Sequence, residues 1–365
     1  MSLPKNTAVN KIYEQDVQMP KTSWCGEECL NYGKDCKIYP NHFKYYFAMS
    51  SRFIKGFFII ILLALGILGL FFFFYSLSTD RAKIDEDHLV IAATFYPLAE
   101  FSRHVGGDYV KVMTLTPPGM EPHDFEPSAK QITAMYEADL VVLNGGGIDA
   151  WATRLIPSLE KQGVRTLQMA SFMDAFLPAV EEEEEEHEEE TFDEHFWLSP
   201  VLTQKQVDAI ATTLGEIDPI HRDAYRLNAD IYKKELQQLH TEFQEGLASC
   251  KIKTVITSHA AFGYLAQAYG FTQLPIAGIS PEQEPSASDL ARLVDEAREK
   301  DIRYIFFETL VSPQLAQTLA EEVGAQTLVF NPLEGLTDEE ISSGQDYLSV
   351  MRSNLTNLRL AMVCH

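Results

Sequence analysis

Basic residues are scarce in this chain. It has 29 lysines and arginines against 53 aspartates and glutamates, a formal net charge of −24 over 365 residues. That deficit argues against nucleic-acid binding, which needs a basic footprint, and makes cations the natural partners. Cysteine is scarce as well, with five residues in all. Cys25, Cys29 and Cys36, followed by His42, have the spacing C-x3-C-x6-C-x5-H. It matches no common zinc pattern, so reduced thiols in a short tail are the simpler reading. No cysteine lies between Cys36 and Cys250, which removes the lipid-attachment residue expected just after an export signal. The sequence also lacks an H-E-x-x-H pair, the helical signature of a zinc hydrolase.

One long apolar run is present. Residues 56–75, GFFIIILLALGILGLFFFFY, carry no charge, and about twenty such residues suffice to cross a bilayer as a helix. Lys44, Arg52 and Lys55 precede the run, so residues 1–55 are expected to form a cytoplasmic tail. Residues 56–75 become the transmembrane anchor, 76–87 a linker, and the remainder extracytoplasmic. Met49 opens MSSRFIKGFF, which itself has the form of a start with a short basic region. A cleaved signal would need a small-residue site, and YSLSTD supplies a poor one. Cys250 and Cys364, the two cysteines on the oxidising side, are a candidate disulfide pair.

Beyond residue 88, β-branched runs alternate with amphipathic stretches. HLVIAAT, YVKVMTL and DLVVLNG read as buried strands, with a helix capped by Ser128 between the last two. After residue 250 the alternation restarts with IKTVITS, IRYIFFE and QTLVF. Between the two series runs a long helical pattern, Tyr225, Ala229, Tyr232, Leu236, Leu239, Phe243 and Leu247, with Asp218 as cap and Pro219 in the first turn. The expected architecture is α/β: two βα lobes with parallel-type sheets joined by one long rigid helix. The boundaries are 88–215 for the first lobe, including an acidic loop at 177–194, then 216–249 for the helix and 250–365 for the second lobe.

The histidines carry the chemistry. His123 follows a strand and precedes a helix, and His259 holds the equivalent position in the second lobe. Ligand sites of parallel sheets form at those carboxyl ends. His195 closes the acidic loop. Three such histidines, drawn from two lobes, can converge in the cleft between them.

The segments GMEPHDFEPSA, DEHFWLSP, TSHAAFGYLA, EPSASDL, FFETL and NPLEGL follow one another in this sequence. In that order they resemble the zinc-binding proteins of metal ABC transporters, over roughly residues 88–363. The resemblance implies that His123, His195 and His259 are metal ligands and that Glu334 is the fourth, with Glu308 the alternative or a supporting carboxylate. It implies capture of zinc and delivery to an ABC transporter permease by a monomeric, membrane-anchored protein that is not an enzyme. Glu194 stands where the family usually has proline, which is expected to loosen that loop. Three imidazoles and one carboxylate suit tetrahedral Zn2+. Mn2+ would favour more oxygen ligands, and in the manganese relatives the position of His259 resembles a glutamate. A manganese-binding homologue, a metal-dependent adhesin and, behind both, a zinc hydrolase are the competing functions. A closed four-ligand site leaves no open position for a catalytic water.

The run EEEEEEHEEE, residues 181–190, lies just before His195. So much like charge is expected to stay solvated and to concentrate cations near the cleft, with His187 adding one transient ligand.

Overall fold

The computed structural model describes residues 88–174, 176–178 and 192–365, together with the single helical residue Gly66. The cytoplasmic tail with Cys25, Cys29 and Cys36, the anchor 56–75 apart from Gly66, the linker 76–87 and the acidic run with His187 lie outside those residues. Among the described residues no helix is long and apolar enough to cross a membrane.

Four parallel strands form the first sheet: β1 (Leu89–Ala93), β2 (Val110–Thr114), β3 (Leu140–Leu143) and β4 (Arg165–Gln168), in the order β2-β1-β3-β4. The second sheet repeats this layout with β5 (Thr254–Thr257), β6 (Thr272–Pro275), β7 (Tyr304–Phe307) and β8 (Gln326–Val329), in the order β6-β5-β7-β8. Every pairing is parallel. Strands β4 and β6 escape a reading that looks for apolar runs. They are four-residue edge strands, RTLQ and TQLP, each with an exposed first residue. An edge position also tolerates Pro275, whose missing N–H would break a central ladder.

Helices fill the crossovers where the sequence caps them. Ser128 caps α2 (Ala129–Tyr136) in a reciprocal box with Gln131, and Ser286 caps α8 (Ala287–Glu299). Gly270 ends α7 (Gly263–Tyr269) in the left-handed conformation that favours glycine.

The connector is α6, Arg222–Leu247, 26 residues long and so roughly 39 Å. It starts later than Pro219. The preceding helix α5 (Pro200–Ile217) ends at Asp218, whose carboxylate ties the corner instead of capping the connector. It accepts from the Tyr225 hydroxyl at 2.8 Å and from the Ile220 N–H at 3.2 Å. One face of α6 buries Tyr225, Ala229, Tyr232, Leu236, Leu239, Phe243 and Leu247, each large apolar side chain contributing roughly 1.5–3 kcal/mol. That face packs against α1 (Tyr96–Gly106) and α5 of the first lobe, and against α7 and α11 (Tyr347–Ala361) of the second.

The lobes are also bonded directly. The Tyr347 hydroxyl donates to the Trp197 carbonyl at 2.7 Å, and the Trp197 indole N–H donates to the Pro332 carbonyl at 2.9 Å. Phe101 meets Tyr347 edge-on with centroids 5.1 Å apart. All of these groups are buried. Both lobes therefore share one core, and wide hinge opening would break it.

A disulfide joins Cys250 to Cys364 across 114 residues, linking the start of the second lobe to the chain terminus. Closing a loop of that size removes much denatured-state entropy. Replacing both cysteines by serine is expected to lower unfolding free energy by about 2–4 kcal/mol. Thermal denaturation would show it as a lower Tm, with far-ultraviolet circular dichroism unchanged below the transition.

Candidate metal centre

Four loops at the carboxyl ends of the sheets carry the chemistry. His123 lies in a single 3-10 turn, Pro122–Asp124, that follows β2. His195 immediately precedes the turn Phe196–Leu198. His259 follows β5, its carbonyl held by the Thr257 hydroxyl at 2.8 Å and the Gln273 amide at 2.6 Å. Glu334 follows β8, after Leu333, a buried residue at φ 58°. A left-handed leucine costs roughly 1–2 kcal/mol. Asn331 offsets this by accepting from the Leu333 N–H at 2.7 Å, and Asn354 clamps Asn331 at 2.9 and 2.7 Å. The strained turn is what aims Glu334 inward.

One donor atom from each of His123, His195, His259 and Glu334 lies within 4.8 Å of the other three. Oε1 of Glu334 is 3.6 Å from Nε2 of His123, 3.4 Å from Nε2 of His195 and 3.1 Å from Nε2 of His259. The Nε2 atoms of His195 and His259 are 3.3 Å apart. Ligands about 2.0–2.1 Å from a tetrahedral zinc sit about 3.3 Å from one another. Nε2 of His123 and both oxygens of Glu334 are buried without a hydrogen-bond partner. Unpaired buried polar atoms are costly. Donors this close, with three of them hydrogen-bonded to nothing, converge on a common point.

Carboxylates stand behind the rings. Asp193 Oδ1 accepts from His195 Nδ1 at 2.8 Å and also from its backbone N–H at 2.9 Å. Glu308 Oε1 accepts from His259 Nδ1 at 2.7 Å. Both bonds leave the Nε2 lone pair facing the cluster. Glu308, the alternative fourth ligand, therefore sits on the far side of His259 from the cluster.

Glu194 does not loosen its loop. It is buried, and its Oε1 lies 3.6 Å from Nδ1 of His123. Its carbonyl accepts from the Asn144 amide at 3.0 Å. The side chain packs over Gly146 at φ 99°, where an added Cβ would lie 2.2 Å from Glu194 Oε2. Gly146 and Gly147 make the room that the Glu194 side chain needs. Glu121, buried two residues before His123, accepts from the His123 N–H at 3.2 Å. Asp193, Glu194 and Glu121 were missed in the sequence as supporting groups. The available signal was that each lies within two residues of a chosen histidine.

The charges are mutually dependent. Burial alone would raise the Glu334 carboxyl, but the surrounding imidazoles, His259 foremost, outweigh it and hold the group well below the usual carboxylate range. Burial opposes protonation of His195, yet Asp193 and Glu334 push it up to about 9. Glu121 moves up to about 10, through burial and then the Glu334 charge.

Such a centre, closed by four side chains and sunk between two lobes, defines a metal-binding protein. Residues 91–361 match the family model described as ZnuA, zinc-uptake complex component A, periplasmic, and the chain belongs to that family. It is 39% identical over 291 residues to the zinc-binding lipoprotein AdcA of Streptococcus pneumoniae, covering 78% of this chain and 58% of that protein. The chain thus spans little more than half the length of that relative. It is 41% identical over 293 residues to the high-affinity zinc uptake system protein ZnuA of Bacillus subtilis, covering 77% and 91%. Its fold is similar to the crystal structure of the Zn(II)-bound ZnuA-like domain of Streptococcus pneumoniae AdcA, with a TM-score of 0.66 and 40% identity over 75% of this chain and 98% of that one.

Two outcomes follow from this geometry. Glu308→Gln is expected to weaken zinc binding about 10–100-fold by loosening His259, measured by competition with a chelator of known affinity. The pH dependence has a definite sign. Zinc takes neutral imidazole, and the raised His195 carries a proton at pH 7 that must leave. Against the effect of burial, Glu308 and Glu334 raise the His259 imidazole well above its ordinary value too. Affinity should therefore fall as pH drops through and below about 9, by about tenfold per pH unit for each proton displaced. Proton release measured in two buffers of different ionisation enthalpy would check the count.

Proposed function

We propose that this chain is an extracytoplasmic protein that captures Zn2+ with high affinity and delivers it to the permease of an ABC transporter. Its ligands are His123, His195, His259 and Glu334. The observation that carries the proposal is the convergence of these four side chains, three of them buried, with each imidazole Nε2 3.1–3.6 Å from one Glu334 oxygen and three of the polar atoms lacking any partner. The printed names of the relatives, zinc-binding and zinc-uptake proteins, support the same cargo.

The donor set favours zinc over manganese. Three nitrogens and one carboxylate meet tetrahedral Zn2+, whereas Mn2+ prefers oxygen-rich, higher coordination. It also favours carriage over catalysis, since a fourth side chain takes the position a hydrolytic water would need. Membrane attachment is assigned to residues 56–75 as a single-pass helix with the N-terminus in the cytoplasm. One relative is named a lipoprotein, but here the first cysteine after the apolar run is Cys250, bound in a disulfide. On this reading the apolar run takes the place of a lipid. Because α6 and the Trp197 and Tyr347 bonds fix the lobes, metal uptake on this reading orders side chains and loops without wide closure, in a monomer.

Metal analysis and titration of the full chain in detergent test this reading. One zinc per chain is expected, with His123→Ala, His195→Ala, His259→Ala and Glu334→Ala each weakening binding by at least about 100-fold, from a lost ligand and an unpaired site. Uptake of manganese in preference to zinc at equal supply, or phosphoester hydrolysis abolished by His259→Ala, would overturn it. X-ray scattering should show closely similar radii of gyration with and without zinc.

A further inference from the structure

His195, His259 and Glu334 have at most 1% of their surface exposed, so a cation needs a route to them. Two cavities are candidates, one lined by a residue of the cluster itself and one by chain neighbours of its ligands. One, of about 450 Å3, is lined in part by Glu334, Glu100 and Arg103. There the Glu100 carboxylate lies 3.9 Å from the Arg103 guanidinium, and a cation approaching from that side meets an arginine.

The other cavity, of about 860 Å3, is bounded by both lobes. The first lobe supplies Glu121 and Asp124, and the second supplies Glu282, Glu284 and Ser258. Four carboxyls line it, and no lysine or arginine is among its lining residues. Asp124 and Glu282 are exposed and line the cavity from opposite lobes. Ser258 precedes His259, and Glu121 lies two residues before His123, so the inner wall is made of the cluster's own neighbours.

Glu121 is the independent observation. It is 9% exposed, it lines this cavity, and its Oε2 is buried with no hydrogen-bond partner. Its other oxygen accepts from the His123 N–H at 3.2 Å. A buried carboxyl with one oxygen anchored and one unpaired is placed to hold a cation briefly, giving up its proton to water as the cation arrives. Glu121 thus joins the wall of this cavity to the turn that carries His123.

We propose that the acidic cavity is the route by which a divalent cation enters and leaves the cluster, gathered by Asp124 and Glu282 and passed through Glu121 as a transit ligand. This rests on the zinc-capture reading and adds to it the path. Steering by like-signed groups in a cleft with low-dielectric walls raises association rates by an order of magnitude or more and is screened by salt. A transit ligand lowers the barrier in both directions and changes equilibrium affinity less than either rate.

Stopped-flow mixing of Zn2+ with the full chain tests it, read by Trp197 fluorescence, since that indole lies 5.1 Å from the His195 ring. The double variant Asp124→Asn with Glu282→Gln, both exposed, should slow association on the order of tenfold at low ionic strength, with the difference closing in about 1 M salt. Glu121→Gln should slow association and dissociation together, with stoichiometry still one zinc per chain. Glu100→Gln, on the other cavity, should leave both rates unchanged. Unaltered rates in the double variant and in Glu121→Gln, or equal slowing by Glu100→Gln, would overturn the route. Faster dissociation alone in Glu121→Gln would reduce Glu121 to a support for His123 and overturn its transit role. Failure of the parent chain to bind zinc would instead sink the functional reading on which the route depends.

Discussion

A single buried carboxylate, Glu334, holds the centre of this molecule in electrostatic balance. Three imidazoles surround it, and its charge persists inside the protein only because they offset the cost of burial. His195 and His259 in turn gain proton affinity from it and from the carboxylates behind them. Two lobes supply these groups. The balance therefore exists only while the lobes are in register, and the shared core around α6 and the Trp197 and Tyr347 bonds maintains that register. The fold serves the site by being stiff.

The layers around the cluster divide the work by distance. Nε2 atoms and Glu334 face inward. Asp193 and Glu308 fix two rings from behind, and Glu194 approaches the third. Beyond them, backbone details do the aiming: a left-handed Leu333 held by two asparagines, and a run of glycines under Glu194. A metal that prefers another geometry would meet resistance from each layer in turn. Selectivity on this reading comes from the rigidity of the support as much as from ligand type.

Much of this was legible in the sequence, for physical reasons. Central strands such as LVVL are buried on both faces and read as continuous apolar runs. The Ser128 box and the Gly270 stop are local signals that tertiary packing leaves intact. His123, His195, His259 and Glu334 could be picked out by position after strands together with a family resemblance. Apart from the carboxylates beside the chosen histidines, what escaped has no local signal. Edge strands β4 and β6 depend on a neighbour for their pairing, and the corner at Asp218 depends on Tyr225 one turn into the next helix. Glu194 was misjudged because losing the family's usual proline suggests a looser loop. Its burial depends on glycines about fifty positions earlier in the chain, which no window around residue 194 contains.

The base of the acidic run has a consequence for how such a chain can change. Pro178 pairs with Phe192, and the Asp193 N–H donates to the Leu177 carbonyl at 2.8 Å. Both ends of the segment are thus fastened before His195 begins. The cost of closing a loop rises by only about 0.6 kcal/mol for each doubling of its length. Whatever lies between these two fastenings can grow, shrink or exchange glutamate for histidine without moving the ring of His195. Natural variation can retune the charge at the cleft freely there, while the metal cluster a few residues away stays fixed.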